Sequence, residues 1–241
     1  MKVNSTEIKN NFGKYLRLSA KEDIIITKNG SDVAKLIAYD DNIQHDVIKE
    51  AEPAYSTSGT KISYEDFLKI SENSDDRFEY IDGEIYLLAS PKVTHQNVLM
   101  ELVGLFYNFF NGKPCQPAFA PFDITLKRNA ENINIVQPDL MIICDLEEHL
   151  NDRDYYMGVP TLAVEIISQS SRKKDYIKKL DLYMDCGVKE YWIVNPFNQE
   201  ITIFSFTNKT ITANRTFNLS EEAVSYHFED LKVNMQQVFQ N

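Results

Sequence analysis

The chain has 241 residues, of which 36 are acidic and 25 are Lys or Arg, so its net charge at pH 7 is −11. This acidic balance excludes a protein that coats nucleic acid with its whole surface, and any DNA contact must be local. No apolar run approaches the ~20 residues that cross a bilayer, and the first residues are too polar for a signal peptide. We therefore predict a folded cytoplasmic protein with no membrane partner.

The first 41 residues differ from the rest in charge, with seven Lys or Arg against six Asp or Glu. In "STEIKNNFGKYLRLS" the apolar positions have helical spacing and predict one amphipathic helix, with Ser5 or Thr6 as its N-cap. Two β-rich runs follow, separated by Asn29 and Gly30, which suit a tight hairpin turn. The apolar positions of the helix are Ile8, Phe12, Tyr15 and Leu16.

A helix on a hairpin is too small to bury its own apolar surface, so we expect this unit to form a homodimer. Its segments "NNFGKYL" and "IIITKNGSDVAKLI" resemble the Phd/YefM antitoxins. The resemblance implies a small α+β dimerisation unit over residues 1–52 that binds operator DNA, with a toxin as a further partner. The Pro, Ser and Gly content of residues 53–61 predicts a linker, which leaves 62–241 as a second domain.

The second domain mixes helices and strands. Ser63 and Asp66 outline the capping box of a short helix, and Asp82-Gly83 is placed to turn a hairpin. Residues 94–110 predict a largely buried helix, and Gly187 ends another. The predicted strands are "FAPFDITLK", "IVQPDLMIIC", "TLAVEII", "EYWIVNP" and "EITIFSF".

The cysteines are Cys115, Cys144 and Cys186. Their number is odd, they are widely spaced, and their neighbours are apolar. This pattern favours reduced thiols in the core over disulfides or a zinc site.

The run "LAVEII" is apolar apart from Glu165. A single carboxylate in such a strand costs several kcal/mol unless it is paired or bound to metal. Asp139 stands at the start of another apolar strand, and if the two strands are neighbours, ~4.8 Å apart, both carboxylates can converge on one hard cation. We predict Mg²⁺ in this site, with Mn²⁺ as a substitute.

The helix after Glu165 can be analysed at about 100° per residue. Asp175, Lys179 and Tyr183 form an i, i+4, i+8 row. This row is predicted to border a buried stripe, and it places the Lys179 ammonium near Glu165. Lys178 is predicted to point to solvent, and Leu182 lies off the stripe. The predicted stripe consists of Ile177, Leu180 and Met184.

Acidic residues, a metal ion and a lysine together suit phosphodiester hydrolysis. They resemble the PD-(D/E)-x-K nucleases, and more closely the Uma-two family of restriction-endonuclease-like proteins. The matching stretches include "FEYIDGEIY", "SPKVTHQ", "QPDLMIIC", "LAVEIISQSSRKKDYIKKLDLYMDCGVKEYWIVNP" and "FEDLKVNMQQVF", within residues 62–236. The resemblance implies an α/β (α+β) restriction-endonuclease-like core with a mixed central sheet flanked by helices.

The same resemblance implies an active constellation of Glu79, Asp139, Glu165 and Lys179, with Glu79 as a third metal ligand and His95 and Tyr183 nearby. One departure from the general pattern matters. The lysine is expected two residues after the glutamate, where this chain has Ile167. Lys179, on the following helix, takes the place of that lysine.

Structural explanations stay open for these residues. Glu165 and Lys179 can form a buried salt bridge alone, although such pairs seldom add stability. His95 can be a solvated or capping histidine, and Tyr183 can simply pack on the sheet. A set of basic residues at the start of the helix after Glu165 can form a solvated helix face or can contact DNA phosphates. This set is Arg172, Lys173 and Lys174.

Two functions follow from these features. The first is a Mg²⁺-dependent DNA endonuclease whose amino-terminal unit dimerises it and selects DNA. The second is a non-enzymatic regulator of the antitoxin type with an inactive nuclease-like domain. A toxin or regulatory protein fits either one.

Overall fold

The computed structural model describes residues 1–10, 12–19, 22–28, 30–36, 61–168 and 171–240. The chain divides into two compact units, Met1–Ala51 and Glu52–Asn241. The predicted linker 53–61 lies outside the described residues, apart from Lys61.

The first unit is a three-stranded sheet with two short helical segments. Strand β1 pairs in parallel with β2, and β2 pairs antiparallel with β3. The predicted hairpin between β2 and β3 is confirmed, and Gly30 in its turn has φ +83°. Val3, Ile8, Tyr15 and Ile24 form the core. The elements are β1 (Lys2–Asn4), α1 (Ser5–Asn10), α2 (Phe12–Ser19), β2 (Ile24–Lys28) and β3 (Ser31–Leu36).

Two details of the predicted helix are wrong. The N-cap is Asn4, because its Oδ1 accepts a hydrogen bond from the Thr6 amide at 2.9 Å, whereas the prediction named Ser5 or Thr6. Phe12, assigned to the apolar face, is 53% exposed. Helical spacing alone cannot show which side of a short helix meets the small sheet. The side chain of Leu16 lies outside the described residues.

The second unit combines a mixed sheet, an antiparallel sheet and a small hairpin. Its helices include a π-helical segment, Lys174–Lys179, that leads into α5. The elements are α3 (Tyr64–Glu72), β4 (Phe78–Ile81), β5 (Glu84–Leu87), α4 (Val93–Phe110), β6 (Gln116–Phe119), β7 (Ile124–Lys127), β8 (Ile133–Val136), β9 (Leu140–Ile143), β10 (Leu162–Ile166), α5 (Leu180–Cys186), β11 (Glu190–Asn195), β12 (Glu200–Thr207), β13 (Thr210–Phe217), β14 (Glu222–Val224), β15 (Lys232–Asn234) and α6 (Met235–Phe239).

Local signals explain several of these elements. Ser63 is the N-cap of α3, and its hydroxyl accepts a hydrogen bond from the Asp66 amide, as predicted. The β4–β5 hairpin turns at Asp82 and Gly83, which have φ of 51° and 90°. Such a pair of positive φ values matches the strand twist in a two-residue turn. Gly187 ends α5 in the left-handed conformation.

The central sheet has six strands in the order β13-β12-β11-β10-β9-β6. Strands β10 and β11 are parallel, and all the other pairs in this sheet are antiparallel. A second sheet has the order β5-β4-β8-β7. Helix α4 and α6 belong to the larger core on one face, around Trp192. The mixed α+β class is thus confirmed.

Two predicted strands are each divided between both sheets. The run 119–127 contains the end of β6 and then β7, and the run 135–144 contains the end of β8 and then β9. Pro121 and Pro138 interrupt these runs, because proline has no amide N–H to continue a ladder. The sequence analysis also left β13, β14, β15 and α6 unassigned, since their apolar patterns are short.

The prediction of three reduced thiols is wrong for two of them. Cys115 and Cys144 form a disulfide, and Cys186 is free. The antiparallel pairing of β6 with β9 sets Gln116 opposite Ile143, so the next pair outward is the two cysteines, with Cα atoms 4.0 Å apart. Their separation of 29 residues in sequence conceals this contact.

No helix within the described ranges is long and apolar enough to cross a membrane.

Candidate active site

Glu165 lies near the carboxyl end of β10, a strand whose five residues are all buried. Its Oε1 accepts hydrogen bonds from Lys179 Nζ at 2.7 Å and from Tyr183 Oη at 2.6 Å. Both partners come from the helix that follows the strand. The lysine predicted to reach Glu165 therefore does so, and Tyr183 is a polar partner as well as a packing residue.

The helical segment turns a different face to the sheet from the one predicted. Lys179, Leu182 and Tyr183 are buried, whereas Ile177 is 59% exposed. The polar row with Lys179 is thus the buried face itself. Of the predicted stripe, Ile177 is wrong, whereas Leu180 and Met184 are partly buried against the core. At 100° per residue the four buried side chains, Asp175 included, already share one face of the helix, and the contacts of Lys179 and Tyr183 with Glu165 account for its burial.

Glu79, on β4, is completely buried and contacts two lysines. Its Oε1 lies 2.6 Å from Lys179 Nζ and accepts a hydrogen bond from the Gln137 amide at 3.0 Å. Its Oε2 pairs with Lys174 Nζ. Burial raises the pKa of Glu79, but the charges of Lys179 and Lys174 outweigh burial and set the pKa at about 2. Glu79 is therefore the ionised partner that holds both ammonium groups.

Asp139 immediately precedes β9, the antiparallel neighbour of β10. Because Leu140 lies opposite Val164, the register continues with Asp139 beside Glu165, as expected for neighbouring strands. The Ile166 amide donates a hydrogen bond to Asp139 Oδ2 at 2.7 Å. This bond ties the Asp139 carboxylate to the backbone next to Glu165.

His95, near the start of α4, approaches the same carboxylate. Its Nε2 lies 3.3 Å from Asp139 Oδ1. Burial lowers the pKa of His95, but the hydrogen bond to Asp139 and the charges of Asp139 and Asp175 together outweigh burial, so the pKa is raised. Within the described part of the chain, the buried Nδ1 of His95 has no hydrogen-bond partner. A role near the site, one of the two alternatives for His95, agrees with this position.

Asp175 completes the acidic group. Its side chain is buried, and its Oδ1 has no hydrogen-bond partner among the described residues. Burial raises the pKa of Asp175, and burial likewise raises the pKa of Glu165 well above its usual value despite the nearby Lys179. The pKa of Lys179 is raised because Glu165 and Glu79 outweigh the effect of burial.

The charges of this cluster do not balance. When all groups are ionised, four carboxylates face two ammonium groups and the His95 imidazolium, which leaves one surplus negative charge in a largely buried volume. The high pKa of Glu165 is a consequence of this surplus and of burial. The carboxylates are Glu79, Asp139, Glu165 and Asp175, and the ammonium groups are those of Lys174 and Lys179.

The donor chemistry of the site fits a divalent magnesium ion. Mg²⁺ prefers oxygen ligands and is usually held by one or two carboxylates, with water and substrate phosphate completing its shell. Asp139 and Glu165 supply such carboxylates on neighbouring strands. Nowhere in the described ranges do three His, Cys, Asp or Glu side chains form a closed metal cage. Both oxygens of Glu79 face lysines, so its predicted role as a third ligand stays a prediction.

The three predicted phosphate contacts differ in position. Lys174 is directed to Glu79, and Arg172 and Lys173 are exposed.

Lys178 was predicted to point to solvent, which is wrong, since its Nζ lies 2.6 Å from Glu84. Main-chain donors at Gln137 and Ile166 were not predicted, because any residue can supply an amide and the sequence carries no signal for it.

Two family models match the chain. The Uma2 model, described as "Putative restriction endonuclease", matches residues 64–236. The Phd_YefM model, described as an antitoxin of type II toxin-antitoxin systems, matches residues 1–44. These two ranges agree with the two resemblances found in the sequence.

Two individual proteins are similar to the chain. An "Uncharacterized protein slr1290" of Synechocystis sp. is 27% identical over 145 residues, which are 60% of this chain and 74% of that protein. The crystal structure of "a putative nuclease belonging to DUF820" from Anabaena variabilis superposes with a TM-score of 0.60. It is 15% identical, and the match covers 74% of this chain and 98% of that one, so it shows the fold alone. Since the Uma2 model spans well over half of the residues, the chain belongs to the Uma2 family of restriction-endonuclease-like proteins.

Proposed function

We propose that residues 62–241 form a Mg²⁺-dependent DNA endonuclease that hydrolyses phosphodiester bonds. One observation carries the proposal: the Lys179 ammonium lies within 2.7 Å of two buried carboxylates, Glu79 and Glu165, and the Ile166 amide next to Glu165 donates a hydrogen bond to Asp139. A structural ion pair needs one carboxylate for one lysine. The surplus of acids here is the property expected of a site that takes up a cation and a phosphate.

Asp139 and Glu165 are the residues that would hold Mg²⁺. The bound ion would polarise the phosphate and lower the pKa of a water molecule that attacks it. The side chains of the protein have supporting tasks. Lys179 offers positive charge to the phosphate in the transition state, and Glu79 holds that ammonium in place. Tyr183 orients Glu165, and His95 orients Asp139.

Cleavage assays test the proposal directly. Purified protein is incubated with supercoiled plasmid, linear duplex and single-stranded DNA in Mg²⁺, Mn²⁺ or EDTA. We expect cleavage with either metal and none in EDTA, and we expect Asp139→Asn to lose both cleavage and the metal-binding heat in calorimetry. An unreactive wild-type protein on every substrate, with no metal binding, would refute the proposal.

We further propose that residues 1–52 dimerise the chain and bind DNA. The match of residues 1–44 to the antitoxin family supports this role, as does the net charge of +1 on residues 1–41 within an acidic chain. The same match favours the second candidate function, an antitoxin-type regulator with a toxin partner. A gel shift on the DNA upstream of its own gene distinguishes them. The regulator requires a shift without metal that depends on residues 1–41, together with no cleavage under any condition.

A further inference from the structure

A cavity adjoins the proposed active site at the carboxyl end of the two parallel strands. Its volume is about 260 Å³, and its lining includes Ile167 and Ser168, the two residues directly after β10. Glu165 is therefore only two positions away from the lining. Because β11 runs parallel to β10, the residues that follow β11 lie at the same end of these two strands as the residues that follow β10. The rest of the lining is Arg172, Asn195 and Phe197.

Phe197 is an exposed aromatic residue on a well-fixed turn. Its side chain is 61% exposed, whereas Asn195 at the base of the turn is 1% exposed. Asn195 Oδ1 accepts hydrogen bonds from the amides of Phe197 and Asn198, at 3.1 and 3.3 Å. Asn195 Nδ2 donates to Glu200 Oε1 at 3.0 Å. These bonds hold the backbone that presents the Phe197 ring toward solvent beside the cavity.

Arg172 supplies positive charge on the same lining. Its guanidinium lies 5.9 Å from the centroid of the Tyr176 ring. In the part of the chain that the structure describes, no carboxylate forms a salt bridge with it. Among the described residues this guanidinium has no acidic partner, although the chain has a net charge of −11. It is available to an anion from outside.

We infer that this cavity binds one unstacked nucleotide of the DNA substrate, with its base on the Phe197 ring and a phosphate on Arg172. Proteins that bind single-stranded DNA combine these two features, since every base has a face that stacks on an aromatic ring and a phosphate that a cation attracts. A volume of about 260 Å³ lies below the ~300–1,000 Å³ of pockets for small molecules and suits a single nucleotide. The inference rests on the proposed nuclease function for its biological role, but binding can be measured independently.

Tyr155 provides a matched control. It is also 61% exposed, and its amide is likewise held by an asparagine side chain, Asn151, at 3.0 Å. It precedes β10, however, and so it lies toward the opposite end of that strand from Glu165. It does not line the cavity.

The experiment measures the fluorescence anisotropy of a labelled 12-nucleotide oligo-dT in EDTA, where no hydrolysis occurs. We expect Phe197→Ala to weaken binding by about tenfold, Phe197→Trp to retain it, and Tyr155→Ala to leave it unchanged. Arg172→Gln should lower the slope of log K against log salt by about 0.7, the loss of one phosphate contact. Thermal unfolding of each variant verifies that the exposed substitutions leave the fold intact.

Several outcomes would overturn the inference. These are no binding by the wild type, equal binding by wild type and Phe197→Ala, or an equal loss in Tyr155→Ala. A separate cleavage assay with Mg²⁺ keeps the two proposals distinct. If the anisotropy results hold and cleavage is absent, the nucleotide site stands and the nuclease function fails.

Discussion

Two buried glutamates on adjacent parallel strands, Glu165 and Glu190, show how differently a protein can accommodate the same side chain. Glu190 begins β11 and accepts four hydrogen bonds, all from neutral donors. They fix the loop between β14 and β15 to the sheet. The donors are the Trp192 indole, the Ser225 hydroxyl and the amides of Tyr226 and His227.

Glu165 has a charged partner and charged competitors instead. It accepts hydrogen bonds from Lys179 and Tyr183, and burial and the carboxylates of Asp175, Asp139 and Glu79 all raise its pKa. It also lies toward the carboxyl end of β10, whereas Glu190 lies at the amino end of β11. In sheets with parallel strands, ligands bind outside the carboxyl ends. Burial of a carboxylate alone therefore does not indicate a site, but the identity of its partners does.

The largest expected effect separates the two glutamates by activity. We expect Glu165→Gln to lower DNA cleavage by about a thousandfold, because it removes a charge that the reaction needs. Glu190→Gln should change cleavage by less than about twofold when the protein is folded. Initial rates on plasmid DNA in Mg²⁺ measure both. An equal loss in both variants, with intact circular dichroism spectra, would contradict the distinction.

The next effect concerns the lysine that both acids of the site share. Lys179→Met should lower the free energy of unfolding by ~3–5 kcal/mol, since it leaves Glu165 buried without a counter-charge and leaves Glu79 with Lys174 alone. Urea denaturation measures this loss.

Lys179→Arg is the control for charge alone. A planar guanidinium cannot occupy the place of a compact ammonium between two carboxylates, so cleavage should remain low even though the charge is retained. Full activity of Lys179→Arg would show that charge is sufficient at this position.

A smaller loss of stability is expected at the structural glutamate. Glu190→Gln keeps the shape of the side chain but replaces one acceptor oxygen by a donor that faces amide N–H groups. We expect a loss of ~1–3 kcal/mol in the same urea experiment. Metal-binding heats should equal those of the wild type. A metal-binding heat that differs from that of the wild type would show that Glu190 contributes to the metal site.

The smallest effect is a component of the pH dependence of stability. The pKa of Glu79 is lowered from 4.5 to about 2, so its ionised form stabilises the fold above pH 4.5. That contribution is lost as the pH falls from 4.5 toward 2. In metal-free protein, Glu79→Gln should show a shallower loss of unfolding free energy over this window. A slope equal to that of the wild type would mean that Glu79 is not the ionised partner of Lys179.

Local chemistry was sufficient to predict several features. The Ser63 cap, the Asp82-Gly83 turn and the end of α5 at Gly187 depend on residues within a few positions of one another. The hydrogen bond between Lys179 and Glu165 was also predictable, because Lys179 lies on the helix that directly follows the strand of Glu165. The buried helical face was not, because Lys179 and Tyr183 are buried through their contacts with Glu165 and not through an apolar pattern.

The sequence by itself therefore determined many of the local elements, the candidate acids and the lysine of this protein. Only the tertiary structure decided which face of the helix is buried, that Cys115 meets Cys144, and that Glu79 holds both Lys174 and Lys179. It also decided that Glu190 is satisfied by neutral donors while Glu165 is not. The physical reason is that local structure depends on neighbours in the chain, whereas charge compensation and strand pairing depend on residues that are distant in sequence and become neighbours only when the sheets form.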